Sequence, residues 1–148
     1  MGKPAKIGPW GGNCGSCRDV RATPEQLVCV KVTTDSICIR SISFYYGATD
    51  GKMYQEGPWG SDDGSADEVN LGSWDCLREI SGTTGPAYYT DNMLKSLTFV
   101  TDKGTYGPYG ANEGTPFRIP VQDNGRIDGF FGRAGSLLDA IGIYVNPN

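Results

Sequence analysis

Three groupings in this 148-residue chain have residue types and spacings that could do chemistry. Cys14-x-x-Cys17 has the spacing of a redox pair or of half a zinc site. A redox pair normally opens a helix, whereas Gly11-Gly12-Asn13-Cys14-Gly15 reads as a Gly-rich loop. A zinc site wants a second pair, and Cys29, Cys38 and Cys76 supply none. The chain has no histidine, so the commonest general base and the commonest neutral metal ligand are missing. No metal and no cofactor are expected. The second grouping is the acid pairs Asp62/Asp63 and Asp67/Glu68, which invite comparison with a glycosidase dyad. They are adjacent in a Gly/Ser-rich stretch and read as solvated turn formers, so no enzyme is expected. The third is Gly135-Ser136-Leu137-Leu138-Asp139, a glycine free to make a tight turn four residues before a carboxylate. On its own this pattern is an ordinary turn, and only its context gives it meaning.

The elements that must position these residues show an internal repeat. Gly8-Pro9-Trp10-Gly11, Gly57-Pro58-Trp59-Gly60 and Gly107-Pro108-Tyr109-Gly110 recur at intervals of 49 and 50 residues. Each is followed by an echo, at Arg40–Phe44, Lys95–Phe99 and Asp139–Ile143, with offsets of 32, 38 and 32 residues. Units this short are not stable alone and should share one core. Val28–Thr33, Ile37–Tyr46, Leu94–Thr101 and Ala140–Val145 alternate and are rich in β-branched and aromatic residues, as half-buried strands are. Glu68–Leu71, Leu77–Ile80, Phe117–Ile119 and Ile127–Phe131 are shorter candidates. The 22 glycines and 9 proline residues punctuate them. The expectation is an all-β domain of three four-stranded sheets about a pseudo-threefold axis, filled by Trp10, Trp59, Phe44, Phe99, Phe130, Ile141 and Ile143. Cys29 and Cys38 lie in apolar runs and are expected to be buried small hydrophobes.

Composition narrows the function classes. A net charge of −4 argues against a nucleic-acid partner, which would want a basic face. No apolar run reaches 18 residues, so no membrane insertion is expected. The start, Met1-Gly2-Lys3-Pro4-Ala5-Lys6, lacks the apolar stretch of a signal peptide, and Lys3-Pro4 and Lys6 argue against myristoylation. A cytoplasmic or nucleocytoplasmic location is expected.

Lys6-Ile7-Gly8-Pro9-Trp10-Gly11-Gly12-Asn13 and the run from Gly129 to Val145 resemble the jacalin-related plant lectins, and are most similar to their mannose-binding, single-chain, monocot branch. Ile80–Thr83, Tyr106–Gly110 and Gly114–Phe117 match in the same order between them, so the likeness covers residues 1–148 as one domain. The resemblance implies a β-prism of three Greek-key sheets and a non-catalytic agglutinin of plant defence or stress response. It implies mannose- or glucose-containing glycans and glycoproteins as partners. Sugar hydroxyls both donate and accept, so a carboxylate flanked by backbone N–H groups suits them, and charge-assisted hydrogen bonds are the stronger kind.

By this resemblance Gly15, Gly135, Ser136, Leu137 and Asp139 bind the sugar, with Leu138, Thr84, Gly85 and Pro86 as extended contacts. Cys14 stands where the family usually has glycine. Galactose preference in the family goes with a free N-terminus at the Gly-loop glycine. Gly15 lies in a continuous chain, which favours mannose and glucose. Tyr88 and Tyr89 either offer a stacking surface or pack a hairpin.

Comparing the repeats with one another sharpens the expectation. Gly15 has counterparts in Gly64 and Gly114, but Asp139 is matched by Arg40 and Lys95, and Gly135 by Ser36 and by Asn92 or Asp91. Arg and Lys donate only. One sugar per protomer is therefore expected, with a homodimer or homotetramer supplying multivalency. The alternative is a protein-interaction module on the same fold with weak or lost sugar binding.

Overall fold

The computed structural model describes residues 3–122 and 124–147, so the reading of Met1-Gly2 as a modification signal lies outside it. Twelve strands follow one another with no helix among the described residues: β1 (Ala5–Gly11), β2 (Ser16–Arg18), β3 (Pro24–Thr34), β4 (Ile39–Ala48), β5 (Met53–Gly60), β6 (Ser65–Asn70), β7 (Leu77–Ala87), β8 (Thr90–Thr101), β9 (Gly104–Gly110), β10 (Thr115–Pro120), β11 (Arg126–Ala134) and β12 (Leu138–Asn146). They make three antiparallel Greek keys of one plan. The first sheet has the order β1-β12-β11-β2, the second β5-β4-β3-β6 and the third β9-β8-β7-β10. A single residue pair, Ile127 with Leu77, joins the first and third into an eight-stranded sheet. The all-β, threefold expectation holds.

The sequence repeat and the sheet are different units. Each Gly-Pro-aromatic-Gly phrase is itself a strand, and it pairs with the echo of the preceding repeat: Trp10 with Ile141, Trp59 with Ile42, Tyr109 with Leu97. The phrase persists for a steric reason. Its closing glycine, Gly11, Gly60 or Gly110, has a φ of 132°, 108° or 86°. A Cβ there would sit 2.2, 2.1 or 2.4 Å from the carbonyl oxygen of Asp139, Arg40 or Lys95. The next residue donates its N–H to that same oxygen, as Gly12, Ser61 and Ala111 do at 2.9, 3.1 and 2.9 Å. These contacts make Asp139, Arg40 and Lys95 structurally equivalent, as the repeat predicts.

Inward-facing residues of all three sheets fill the axis. In β4, Ile42, Phe44, Tyr46 and Ala48 alternate inward while Tyr45 faces out, the period of two that a strand imposes. Phe130 lies edge-on to Phe44 and to Phe99, with centroids 5.1 and 6.5 Å apart, so one ring from each sheet meets at the centre. Aromatic pairs of this geometry add about 0.5–1.5 kcal/mol to simple burial. Of the expected fillers only Trp10 is incompletely buried; it stacks on Phe117 at the rim. Two cysteine expectations need correction. Cys38 is fully buried, but Cys29 is half-buried, because it faces the outer surface of the second sheet. Cys17 is in a strand, since β2 pairs Arg133 with Cys17.

Candidate functional site

At one end of the prism the β1–β2 loop and the β11–β12 turn of the first sheet meet the tip of the β7–β8 hairpin. Together they line an open pocket of about 260 Å³ made by Cys14, Gly15, Tyr88, Tyr89, Thr90, Gly135, Ser136, Leu137 and Asp139. Five of these, Gly15, Gly135, Ser136, Leu137 and Asp139, are the site residues expected from the sequence. The extended set is not brought there. Leu138 has its side chain wholly in the core, and Thr84, Gly85 and Pro86 pair or turn within their own hairpin, where the Pro86 carbonyl accepts from Lys95 Nζ at 2.9 Å. Tyr88, Tyr89 and Thr90 stand on the pocket in their place.

Each part of the pocket is held by a traceable contact. Gly15 has φ 70°, and a Cβ there would lie 2.4 Å from the carbonyl carbon of Ala134, so only glycine lets the two loops touch. The β11–β12 turn is three residues long and closes on itself through Gly135 N–H to Leu137 O, 3.1 Å. Leu137 anchors it by packing on a small satellite cluster of Cys38, Ala87 and Met93, contributed by the other two sheets. The N–H groups of Ser136 and Leu137 meet no protein acceptor among the described residues, and Ser136 is exposed. Asp139 is the second residue of β12 and is 5 % exposed. Burial pushes its carboxyl above the usual carboxylate range, against the pull of the Gly135 N–H and the Arg133 charge. An acceptor short of partners beside two unpaired N–H donors suits a ligand whose groups both donate and accept.

Arg133 was not picked out from the sequence. Its guanidinium donates to Gly15 O at 2.8 Å, to Cys14 O at 3.2 Å and to Cys17 Sγ at 3.1 Å, and so braces the Gly15 loop. The equivalent residues in the other sheets are Thr33 and Thr83, which pair with Ser41 and Ser96 as buried hydroxyl couples where the first sheet pairs Arg133 with Ala140. The signal lay in the repeat, two residues before the compared Gly135. Cys14 also reaches the hairpin, with Sγ 3.5 Å from Thr90 Oγ1, while Asn92 Nδ2 donates to Gly11 O at 3.2 Å.

The two equivalent positions are built differently. The β3–β4 turn, residues 35–38, is one residue longer than the β11–β12 turn. The additional acid, Asp35, folds into it and accepts the N–H groups of Ile37 and Cys38 at 2.7 and 2.8 Å. Arg40 donates to Asp35 and Asp63 at 2.8 Å each, and Tyr88 OH also donates to Asp35. Burial raises the Asp35 carboxyl, but these donors outweigh it and hold it well below the usual range. At the third position Lys95 is 5 % exposed and pairs with Glu113 at 3.3 Å. Among the described residues no group of three His, Cys, Asp or Glu side chains is placed to hold a metal ion.

The sequence pattern of the jacalin-like lectin domain matches residues 7–144. Horcolin from Hordeum vulgare is 47 % identical over 148 residues, covering 99 % of this chain and 100 % of that protein. A mannose/glucose-specific lectin from Parkia pendula is 36 % identical over 149 residues, covering 96 % of this chain and 32 % of that longer protein. Among solved structures, AcmJRL, a mannose-binding jacalin-related lectin from Ananas comosus, superposes with a TM-score of 0.92 at 40 % identity, covering 98 % of this chain and 99 % of the other. With its fold, its repeat and these matches in agreement, the chain belongs to the jacalin-like lectin family, whose members bind carbohydrate and are not enzymes.

Proposed function

We propose that this protein is a lectin for mannose- and glucose-type glycans, with one Gly-x-x-x-Asp site per protomer. In this reading Asp139 accepts hydrogen bonds from two sugar hydroxyls while the N–H groups of Ser136 and Leu137, together with the Gly15 backbone, donate to the sugar oxygens. The observation that carries it is the contrast between equivalent turns. The β11–β12 turn leaves its N–H groups and its acid available to a ligand, whereas the β3–β4 turn spends its N–H groups on Asp35 and puts Arg40 where the acid would be. The relatives' names supply the sugar class. Gly15 lies within the continuous β1–β2 loop and has no free amino group, which supports mannose and glucose over galactose. Tyr88 and Tyr89, 52 % and 106 % exposed, offer rings to a second sugar unit.

A few exposed hydrogen bonds in competition with water give a Kd of about 0.1–10 mM for one monosaccharide, or about −3 to −5 kcal/mol. Assembly as a dimer or tetramer would raise avidity for multivalent glycans. The test is calorimetric titration with methyl α-D-mannopyranoside, and methyl α-D-galactopyranoside as comparison. Asp139→Ala should abolish mannoside binding at the Gly15–Asp139 pocket and leave the fold intact. Undiminished binding by that variant, or an equal response to the galactoside, refutes the reading.

A further inference from the structure

The other end of the prism holds a second polar cavity, of about 270 Å³, that the Gly15–Asp139 site does not use. Glu25, Gln26, Trp74, Asp75, Arg126 and Asp128 are among its lining residues. Three features set it apart. First, the Asp75 side chain is 8 % exposed, and its Oδ1 is the one buried side-chain polar atom without a hydrogen-bond partner among the described residues. A carboxylate oxygen is rarely left so, because the lost hydration is not replaced. Second, Trp74 beside it is 93 % exposed. Third, Trp74 has φ 65°, in a turn closed by Asp75 N–H to Gly72 O at 3.2 Å, at a position that ordinarily takes glycine. A bulky residue in that conformation persists only where its surroundings fix it. Here Lys103 Nζ ties the Ser73 carbonyl at 3.3 Å, and the Cys76 N–H ties to Asp102 at 3.2 Å. The indole is thus held out beside a buried acceptor with no donor.

The cavity's chemistry selects its ligand. Its volume is many times the roughly 10–15 Å³ that one water requires. Asp128 is already satisfied by the Leu27 N–H, Asn146 Nδ2 and Arg126 Nε. Asp75 and Glu25 on the wall disfavour an anion. A neutral ligand with a hydroxyl for Asp75, further hydroxyls for the Gln26 amide and the part-exposed Arg126, and an apolar C–H face for the indole meets every demand, and a pyranose is such a ligand. We infer that Trp74, Asp75, Gln26 and Arg126 form a second saccharide-binding site, built without the Gly-x-x-x-Asp turn, at the end of the prism opposite Asp139. The eleven-residue strand β7 separates the Trp74 loop from the Tyr88 tip, about 36 Å at 3.3 Å per residue. One protomer would then hold two glycans facing apart.

This inference rests on the protein being a carbohydrate binder, and the test separates the two. ¹⁵N-labelled full-length chain is titrated with methyl α-D-mannopyranoside and methyl α-D-glucopyranoside. The three indole N–H signals (Trp10, Trp59 and Trp74) and the Ser136 and Leu137 amides are followed. At least one of the two sugars should shift the Trp74 indole saturably in the wild type and equally in Asp139→Ala. Asp75→Ala should weaken that response about tenfold or more, and Trp74→Ala should leave the Ser136 and Leu137 response intact. Asp75→Ala should not lower the melting temperature, since it removes an acceptor without a donor. A silent Trp74 indole alongside responding Ser136 and Leu137 amides overturns the second site alone. So does an equal Trp74 shift with sodium chloride or sorbitol, or a destabilised Asp75→Ala. Silent Ser136 and Leu137 amides overturn instead the reading of the Asp139 site.

Discussion

Replacing Arg133 by threonine, together with Ala140 by serine, should give a well-folded protein that has largely lost its sugar affinity. The double change installs in the first sheet the hydroxyl pair that the others already carry as Thr33–Ser41 and Thr83–Ser96, all four of these residues being buried. The pair therefore fits this backbone, and the melting temperature should stay within a few degrees of wild type. What is lost is the brace on the Gly15 loop, the bonds to Gly15 O at 2.8 Å, Cys14 O at 3.2 Å and Cys17 Sγ at 3.1 Å. A charged donor contributes about 1.5–3 kcal/mol per bond when shielded, but water reaches this guanidinium, so about 1–2 kcal/mol for the set is the reasonable figure. That energy holds the loop in its binding form. Without it the competent fraction falls, and the apparent Kd rises by the inverse of that fraction, about five- to thirtyfold. Calorimetry with methyl α-D-mannopyranoside reads the affinity, and the Gly15 and Ser16 amide signals read the loop. Affinity within twofold of wild type, with those amides broadened or moved, would refute the idea that loop order limits binding.

Acid should weaken sugar binding earlier than an ordinary carboxylate would predict. Burial raises the Asp139 pKa above 3.8, and only the ionised form has both oxygens free to accept hydrogen bonds from two hydroxyls. In the free protein a raised carboxyl pKa adds stability below the unfolded value and loses it as pH rises through the folded value, so sugar should bind with proton release on the acid limb. Affinity measured from pH 3 to pH 7 that showed no loss until below 3.8 would contradict this. Iodoacetamide should label Cys14 faster than Cys38, whose thiol is buried and pushed up to about 11, and saturating mannoside should protect Cys14 as read by peptide mass mapping. Arg40→Asp alone should not create a second mannoside site, because Asp35 still takes the Ile37 and Cys38 N–H groups. It should lower stability by placing like charges together, and one further equivalent of mannoside bound per protomer relative to wild type would refute the account of that turn.

Much of the architecture was legible because the repeat exposes its own symmetry. The spacing of the phrases predicted three units, and alternation located Ile42, Phe44 and Phe99 in the core. The phrases were not recognised as strands, since Gly-Pro-Trp-Gly has the composition of a turn. Its place in a sheet follows from a neighbouring carbonyl that excludes a Cβ, which composition does not express. For the pocket, the residues expected near Gly135 do gather, because a short turn keeps sequence neighbours together. The sequence pointed to Thr84–Pro86 in the β7–β8 hairpin, whereas Tyr88, Tyr89 and Thr90 line the pocket. What decides it is hairpin length: pairing continues to Ala87–Thr90, so the projecting tip is Tyr88-Tyr89. Arg133 was missed because its role depends on which carbonyls lie opposite it, and those come from a loop 118 residues earlier.

The first sheet is assembled from the two ends of the chain, with Ala5 paired to Val145. The pocket therefore has no local encoding: its glycine loop and its carboxylate turn are brought together only by closing nearly the longest loop the chain permits. A circular permutant would reverse this. Joining Pro147 to Lys3 by a short linker and opening the chain in the segment of residues 19–23 that connects β2 to β3 would make β11-β12-β1-β2 one uninterrupted Greek key like the other two. Its pairings would then all fall within one continuous stretch of four strands. The sugar pocket would change from the last part of the molecule to be completed into one that a single stretch of sequence can form early.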